Sequence, residues 1–182
     1  MSYQRNKLHS CVLLLSLFFS AKHAYALGCS PVIANNAATQ FLAALDRGRI
    51  FSVPTRIQLQ TLHGVVTPTL YSQLKKASRA EELALTRTKG TQPPLYEGSL
   101  FSYLAEGHSS YTVIKPTSKT VNLIAVEFQY IGDPATGMPY NWVDLISVQT
   151  VSGKCLVRDM IFNEGRPPKK TLAKTLQEIS GE

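Results

Sequence analysis

The sequence predicts an α+β fold in which N-terminal helices pack on a curved four-stranded antiparallel sheet and a short helix closes the chain. Three observations lead there. Apolar residues recur at helical spacing up to about Thr88, and from Tyr111 to Phe162 the period changes to two. The strand-like runs are joined by links too short for a parallel crossover, so neighbouring strands are antiparallel. Helices followed by such a sheet cover one of its faces.

Residues 1–26 stand apart from this pattern. Arg5 and Lys7 form a basic start, Val12–Phe19 an apolar centre, and Ala24-Tyr25-Ala26 an A-x-A cleavage site, the three parts of a secretory signal peptide. The apolar run is shorter than the roughly 20 residues that a membrane-spanning helix needs, so no transmembrane segment is expected in the mature chain. Residues 27–182 are expected to form one α+β domain. Composition agrees, because 44% hydrophobic and 17% charged residues suit a packed domain rather than a disordered chain.

The formal charge of +7 suggests nucleic acid at first. Arg5, Lys7 and Lys22 leave with the signal and no acid does, which reduces it to +4. The remaining bases are scattered, and no zinc finger, basic zipper or aromatic–basic RNA motif occurs. Nucleic acid is therefore not an expected partner.

Along the mature chain, Gly28–Val32 reads as an irregular lead-in. Ala38, Phe41, Leu42 and Leu45 then fall at i, i+3, i+4, i+7, an amphipathic helix ending near Gly48. Pro54 and Gly64 bound a short helical segment carrying Leu59 and Leu62. Thr67-Pro68 is a helix start: Thr can cap, and Pro is tolerated at the first helical position, where its missing N–H would be unpaired anyway. That helix is expected to run to about Thr88 with Leu70, Tyr71, Leu74 and Ala77 buried. After a loop holding Glu97–Gly107, four strands follow: Tyr111–Lys115, Val121–Ile131, Tyr140–Val151 and Cys155–Phe162. Asn163–Lys170 reads as a linker, and Thr171–Ile179 as a helix with Leu172, Leu176 and Ile179 on one side.

Export leaves two cysteines, because Cys11 departs with the signal. Cys29 and Cys155 in an oxidising compartment predict a disulfide from the N-terminus to a late strand. A second reading stays open: Ala26-Leu27-Gly28-Cys29 faintly resembles a lipobox, which would make Cys29 a lipid anchor and leave Cys155 unpaired.

The last hairpin juxtaposes side chains. With Ser152-Gly153 as a two-residue turn, Trp142, Asp144, Ile146 and Val148 share a face with Cys155, Val157, Asp159 and Ile161. Asp144 and Asp159 then become diagonal neighbours amid apolar side chains. Two carboxylates in a dry pocket repel, so one could hold its proton near neutral pH and act as an acid or base. The alternative is that both sit near strand ends and pair with backbone N–H groups, bases such as Arg158, or water. Tyr130, Trp142, Asp144 and Asp159 are the candidate lining of a cavity between helices and sheet.

Other chemistry finds little support. His63 and His108 lack metal-ligand spacing, and His108, in Glu106-Gly107-His108-Ser109-Ser110, reads as a solvated loop residue. No G-x-S-x-G elbow and no Gly-rich phosphate loop is present. No catalytic residue, metal or cofactor is assigned.

Several stretches resemble a known family. These are Pro93-Pro94-Leu95 with Glu97–Gly107, Trp142-x-Asp144, Gly153-Lys154-Cys155-Leu156-Val157-Arg158-Asp159, and Thr171-Leu172-Ala173-Lys174-Thr175-Leu176. Together with the element order they resemble the YbjP-like exported bacterial proteins of unknown function, with a nuclear transport factor two-like (SnoaL-like, cystatin-type) cone. Leu156 stands where that family often has Trp, and Arg158 where it often has Asp, which removes one acid from the strand. The resemblance implies a cone fold, export and the Cys29–Cys155 bridge, and it lends no reaction. The leading functional expectation is a periplasmic binding or accessory protein acting on an envelope protein partner. The alternatives are a cone-cavity binder or acid–base enzyme for a small apolar ligand, and an immunity protein against a periplasm-targeted toxin.

Overall fold

The computed structural model describes residues 28–91, 94–115, 122–132, 139–163 and 170–182. The expected signal peptide, the Pro116–Thr120 turn and most of the Gly132–Pro139 and Asn163–Lys170 links lie outside the described residues. Three helices come first: α1 (Pro31–Gly48), the single turn α2 (Leu59–Leu62) and α3 (Pro68–Arg87). Strands β1 (Ser110–Val113), β2 (Leu123–Ile131), β3 (Pro139–Val151), β4 (Lys154–Phe162) and β5 (Lys170–Thr171) form one antiparallel sheet in the order β1-β2-β3-β4-β5. Helix α4 (Leu172–Ser180) ends the chain.

The helix boundaries follow from local chemistry. The Thr67 hydroxyl accepts from Leu70 N at 3.3 Å, so Thr67-Pro68 starts α3 as expected. The same device sits unrecognised at Ser30-Pro31, where the serine oxygen accepts from Ile33 N. Helix α1 therefore begins inside the segment expected to be an irregular lead-in. Its predicted apolar stripe of Ala38, Phe41, Leu42 and Leu45 is buried. Glycine 48 and Arg49 end α1, with Arg49 in the left-handed region (φ 49°, ψ 46°). The Gln58 amide donates to both Gly48 O and Arg49 O at 3.1 Å and holds that turn.

The sheet has five strands rather than four. The added strand, β5, pairs Thr171 with Ile161 and Lys170 with Phe162 where a linker and a helix start were expected. Two residues are too few to show a period, so the partner strand alone defines them. Ile124, Val126, Phe128, Ile146, Val148, Val157, Met160 and Phe162 face the helices and join Phe41, Leu42, Leu62, Leu70 and Leu74 in one contiguous core. Leu172 and Leu176 of α4 complete it, packing beside α3.

The hairpin between β3 and β4 turns at Ser152 (φ 49°) and Gly153 (φ 77°), as the two-residue turn requires. Val151 pairs with Lys154, Thr150 with Cys155 and Val148 with Val157. Then the register shifts: Ser147 pairs with Asp159, and Arg158 is the extra residue of a β-bulge. Beyond the bulge the even residues Met160 and Phe162 point to the core, and Asp159 and Ile161 point the other way. The expected shared face therefore holds only as far as Val157.

On the outer edge of β4, Thr67 N donates to Val157 O at 2.8 Å and Val157 N to Val65 O at 3.0 Å. This parallel bridge, with β5 further along, occupies backbone groups that would otherwise form an open sheet edge. The Cys29–Cys155 disulfide ties the start of α1 to the start of β4 across 126 residues of sequence. Cys29 is buried, and its sulfur is engaged by Cys155 rather than free for a lipid thioether.

Loop-closure entropy predicts that this bridge stabilises the fold by about 4–5 kcal/mol. Reduction should lower the denaturation midpoint of the wild type to that of the Cys29→Ser/Cys155→Ser double variant, whose midpoint does not respond to reductant.

Candidate functional site

The two aspartates of the predicted cavity are separated by the bulge onto opposite faces of the sheet. Asp144 is completely buried on the helix-facing side. One of its oxygens accepts from Trp142 Nε1 at 3.0 Å and Tyr103 N at 3.1 Å, and the other from Asn163 N at 3.0 Å. It thus binds the irregular segment before β1, its own strand and the end of β4. Asp159 lies on the far side, where one oxygen accepts from Met160 N at 2.8 Å and Ala173 N at 3.0 Å. With the Thr171 hydroxyl, which accepts from Lys174 N, it caps α4. Burial pushes the Asp159 carboxyl above its usual range, against the hydrogen bonds and the Arg158 charge that draw it down. Both carboxylates therefore have backbone partners, and the paired-acid arrangement does not form.

Trp142 is brought to Asp144 and stacks between Phe128 (5.5 Å) and Tyr140 (5.8 Å). Tyr130 lies on the same side of the sheet, opposite Tyr140 and half-buried against the core. The cross-strand row Tyr111–Phe128–Trp142 is an aromatic layer under the helices, in direct register from β1 to β3.

One end of that layer carries titratable groups that the sequence did not bring together. His108 sits over it, 4.8 Å from the Phe128 ring and 5.5 Å edge-to-face with Tyr111. The Tyr111 hydroxyl donates to Asp46 Oδ2 at 3.1 Å. Burial draws the His108 imidazolium pKa down, and the Asp46 charge opposes it. Burial, then the hydrogen bond to Asp46 and its charge, push the Tyr111 phenol up to about 12. At neutral pH the set holds a neutral imidazole and a phenol that keeps its proton while donating to Asp46.

Asp46 and His108 border a groove of about 280 Å³ between the end of α1 and the segment before β1. Ile50, Phe101 and Ser99 form its buried floor, Asp46 and Arg49 one exposed lip, and Phe51 and His108 the other walls. Backbone geometry here is demanding. Arg49 is held in the left-handed region, and Gly107 has φ 83° with the Phe51 ring 2.4 Å from where a Cβ would lie. The Leu100 N–H donates to Phe51 O at 2.9 Å and fixes the two walls to each other. Strain of this kind concentrates at functional positions.

His108 is thus half-buried in a ring cluster, not the solvated loop residue its Gly-His-Ser-Ser setting suggested. Asp46 was missed, although a signal existed: an acid in the last turn of a helix meets the negative end of its dipole, at a cost of about 0.3–1 kcal/mol. Its partner, Tyr111, is 65 residues away. No family model matches the chain, and no curated protein or solved structure does.

Two outcomes follow from the shifted groups. Because burial raises the Asp159 pKa, the neutral Asp159→Asn variant keeps the cap without the charge penalty and should unfold no earlier than wild type at neutral pH. Asp159→Ala should lose about 1 kcal/mol in denaturant titration. For His108, the depressed folded pKa means that the folded protein binds fewer protons than the unfolded one below pH 6.5. Its contribution is present above that pH and lost as the pH falls through the folded value, so His108→Gln should flatten the denaturation midpoint across that window.

Proposed function

We propose that this protein is an exported binding or accessory protein of the bacterial periplasm, a SnoaL-like cone that acts by contact with another envelope protein. The observation that carries this reading is the filled helix-facing side of the sheet. Ile124, Val126, Phe128, Ile146 and Met160 are fully buried there against Phe41, Leu62, Leu70 and Leu74. Asp144, the acid within that layer, is committed to three donors. A cone packed in this way recognises through its surface. The order of helices, antiparallel meander and short closing helix supports the cone, and the signal-like residues 1–26 with the Cys29–Cys155 bridge support export.

A surface suited to a protein partner lies along α3. Val53, Ile57 and Leu85 give an apolar base to a groove of about 330 Å³ rimmed by Arg56, Glu81 and Glu82. Ile57 is 79% exposed, so its side chain is open to an apolar contact from a partner. A second, compatible reading places a small ligand in the Asp46–His108 groove, because only there do a carboxylate, a guanidinium, an imidazole and aromatic walls converge among the described residues.

Photo-crosslinking from position 56 in the cell envelope should yield one reproducible adduct, and the identified protein should bind the purified mature domain. Ile57→Asp should weaken that binding about tenfold or more, as loss of an apolar anchor does. Adducts no different from those of an unrelated exported protein would overturn the reading.

A further inference from the structure

We infer that the groove between the end of α1 and the Ser99–His108 segment is a binding site for a small α-amino acid with a flat, apolar side chain. The inference rests on reading this groove as a ligand site, and it names the ligand class.

The two charges come first. Asp46 and Arg49 lie three residues apart at the end of α1 and both border the groove. Among the described residues the only ion pair joins Lys76 to Glu182, so neither charge is neutralised by a salt bridge. Tyr111 donates to Asp46 Oδ2 and fixes the carboxylate, leaving Oδ1 for a donor from outside. Arg49 presents a planar fork of donors that matches a carboxylate. Its backbone is pinned by the two Gln58 hydrogen bonds to Gly48 O and Arg49 O. A ligand bearing an ammonium and a carboxylate on neighbouring atoms satisfies both groups at once, whereas a simple cation or anion satisfies one.

Size and walls specify the remainder. A volume of about 280 Å³ lies at the lower limit of small-molecule sites, which suits a single amino acid better than a peptide or nucleotide. Phe51, Phe101 and His108 offer ring surfaces, and the imidazole is neutral at physiological pH because burial lowers its pKa. A flat side chain gains edge or face contacts with these rings. Gly107 lets the Phe51 ring close against the backbone beside His108, a contact that any side chain at 107 would obstruct.

The test is calorimetric titration of the oxidised mature protein with L-phenylalanine and three analogues, each lacking one feature. Phenethylamine lacks the carboxylate, 3-phenylpropionate the ammonium, and L-alanine the ring. L-Phenylalanine should bind saturably, each single-charge analogue up to about fivefold more weakly, as the loss of an exposed charge pair allows, and L-alanine more weakly for want of the ring contacts. Asp46→Asn keeps an acceptor for Tyr111 and should abolish the preference for L-phenylalanine over 3-phenylpropionate. Arg49→Asn suits the left-handed backbone and should abolish the preference over phenethylamine. Equal binding of L-phenylalanine and either single-charge analogue by wild type overturns the zwitterion assignment while the groove remains a ligand site. Absence of saturable binding by all four at millimolar concentration overturns the assignment and the ligand-site reading with it. Binding of an envelope protein at Ile57 is measured independently of both.

Discussion

The buried carboxylate of Asp144 is the constraint on which the architecture depends. A charge removed from water must find donors, and here they come from three places: Trp142 in its own strand, Tyr103 in the irregular segment after α3, and Asn163 at the end of β4. Trp142 lies within β3, but Tyr103 and Asn163 belong to no helix or strand, so no regular ladder positions them. Satisfying one carboxylate therefore fixes the path of the long connection across the end of the sheet. Leaving any donor out would strand part of a buried charge, which is far costlier than losing an exposed pair. The Trp142-x-Asp144 spacing acquires its meaning from this geometry: residues two apart in a strand share a face, so the indole N–H reaches the carboxylate beside it.

The fixed connection in turn shapes the rim. Ser99, Leu100, Phe101 and Ser102 are buried, although they belong to no helix or strand. Their placement sets Phe101 edge-on against Phe41 of α1 and His108 on the aromatic row of the sheet. With the sheet side filled by aliphatic and aromatic packing, grooves with polar rims lie at this border and along α3. The disulfide and the Val65–Thr67 bridge protect the opposite side of the fold, where β4 would otherwise present a free edge.

Much of the fold is legible in the chain. Ala38, Phe41, Leu42 and Leu45 mark the buried stripe of α1, Thr67-Pro68 marks the start of α3, and Ser152-Gly153 marks the tight hairpin. The bulge at Arg158 is not legible, because Leu156-Val157 and Met160-Ile161-Phe162 place apolar residues on both faces and either phase fits. Nor is the rim, since Asp46 and Tyr111 meet only after the helix has been laid across the sheet. Of the candidate lining, Tyr130, Trp142 and Asp144 lie on the helix-facing side of the sheet, and one extra residue in β4 puts Asp159 on the other. Local patterns report what each segment buries. They do not report how many residues a neighbouring strand will place against it.

The bulge also bears on how this chain tolerates changes in length. Removing Arg158 would leave an unbroken ladder in which Asp159 still meets Ser147 and Met160 still meets Ile146, so every later residue keeps its side. A regular ladder that retained Arg158 would instead turn Asp159 into the apolar layer and Met160 to the far side. A strand shorter by this one residue would therefore need none of its polar and apolar positions from 159 onward rewritten. The bulge thus absorbs one residue of length without altering the pattern, and a gap placed at 158 when two such chains are aligned keeps Asp159 in step with the helix cap it forms.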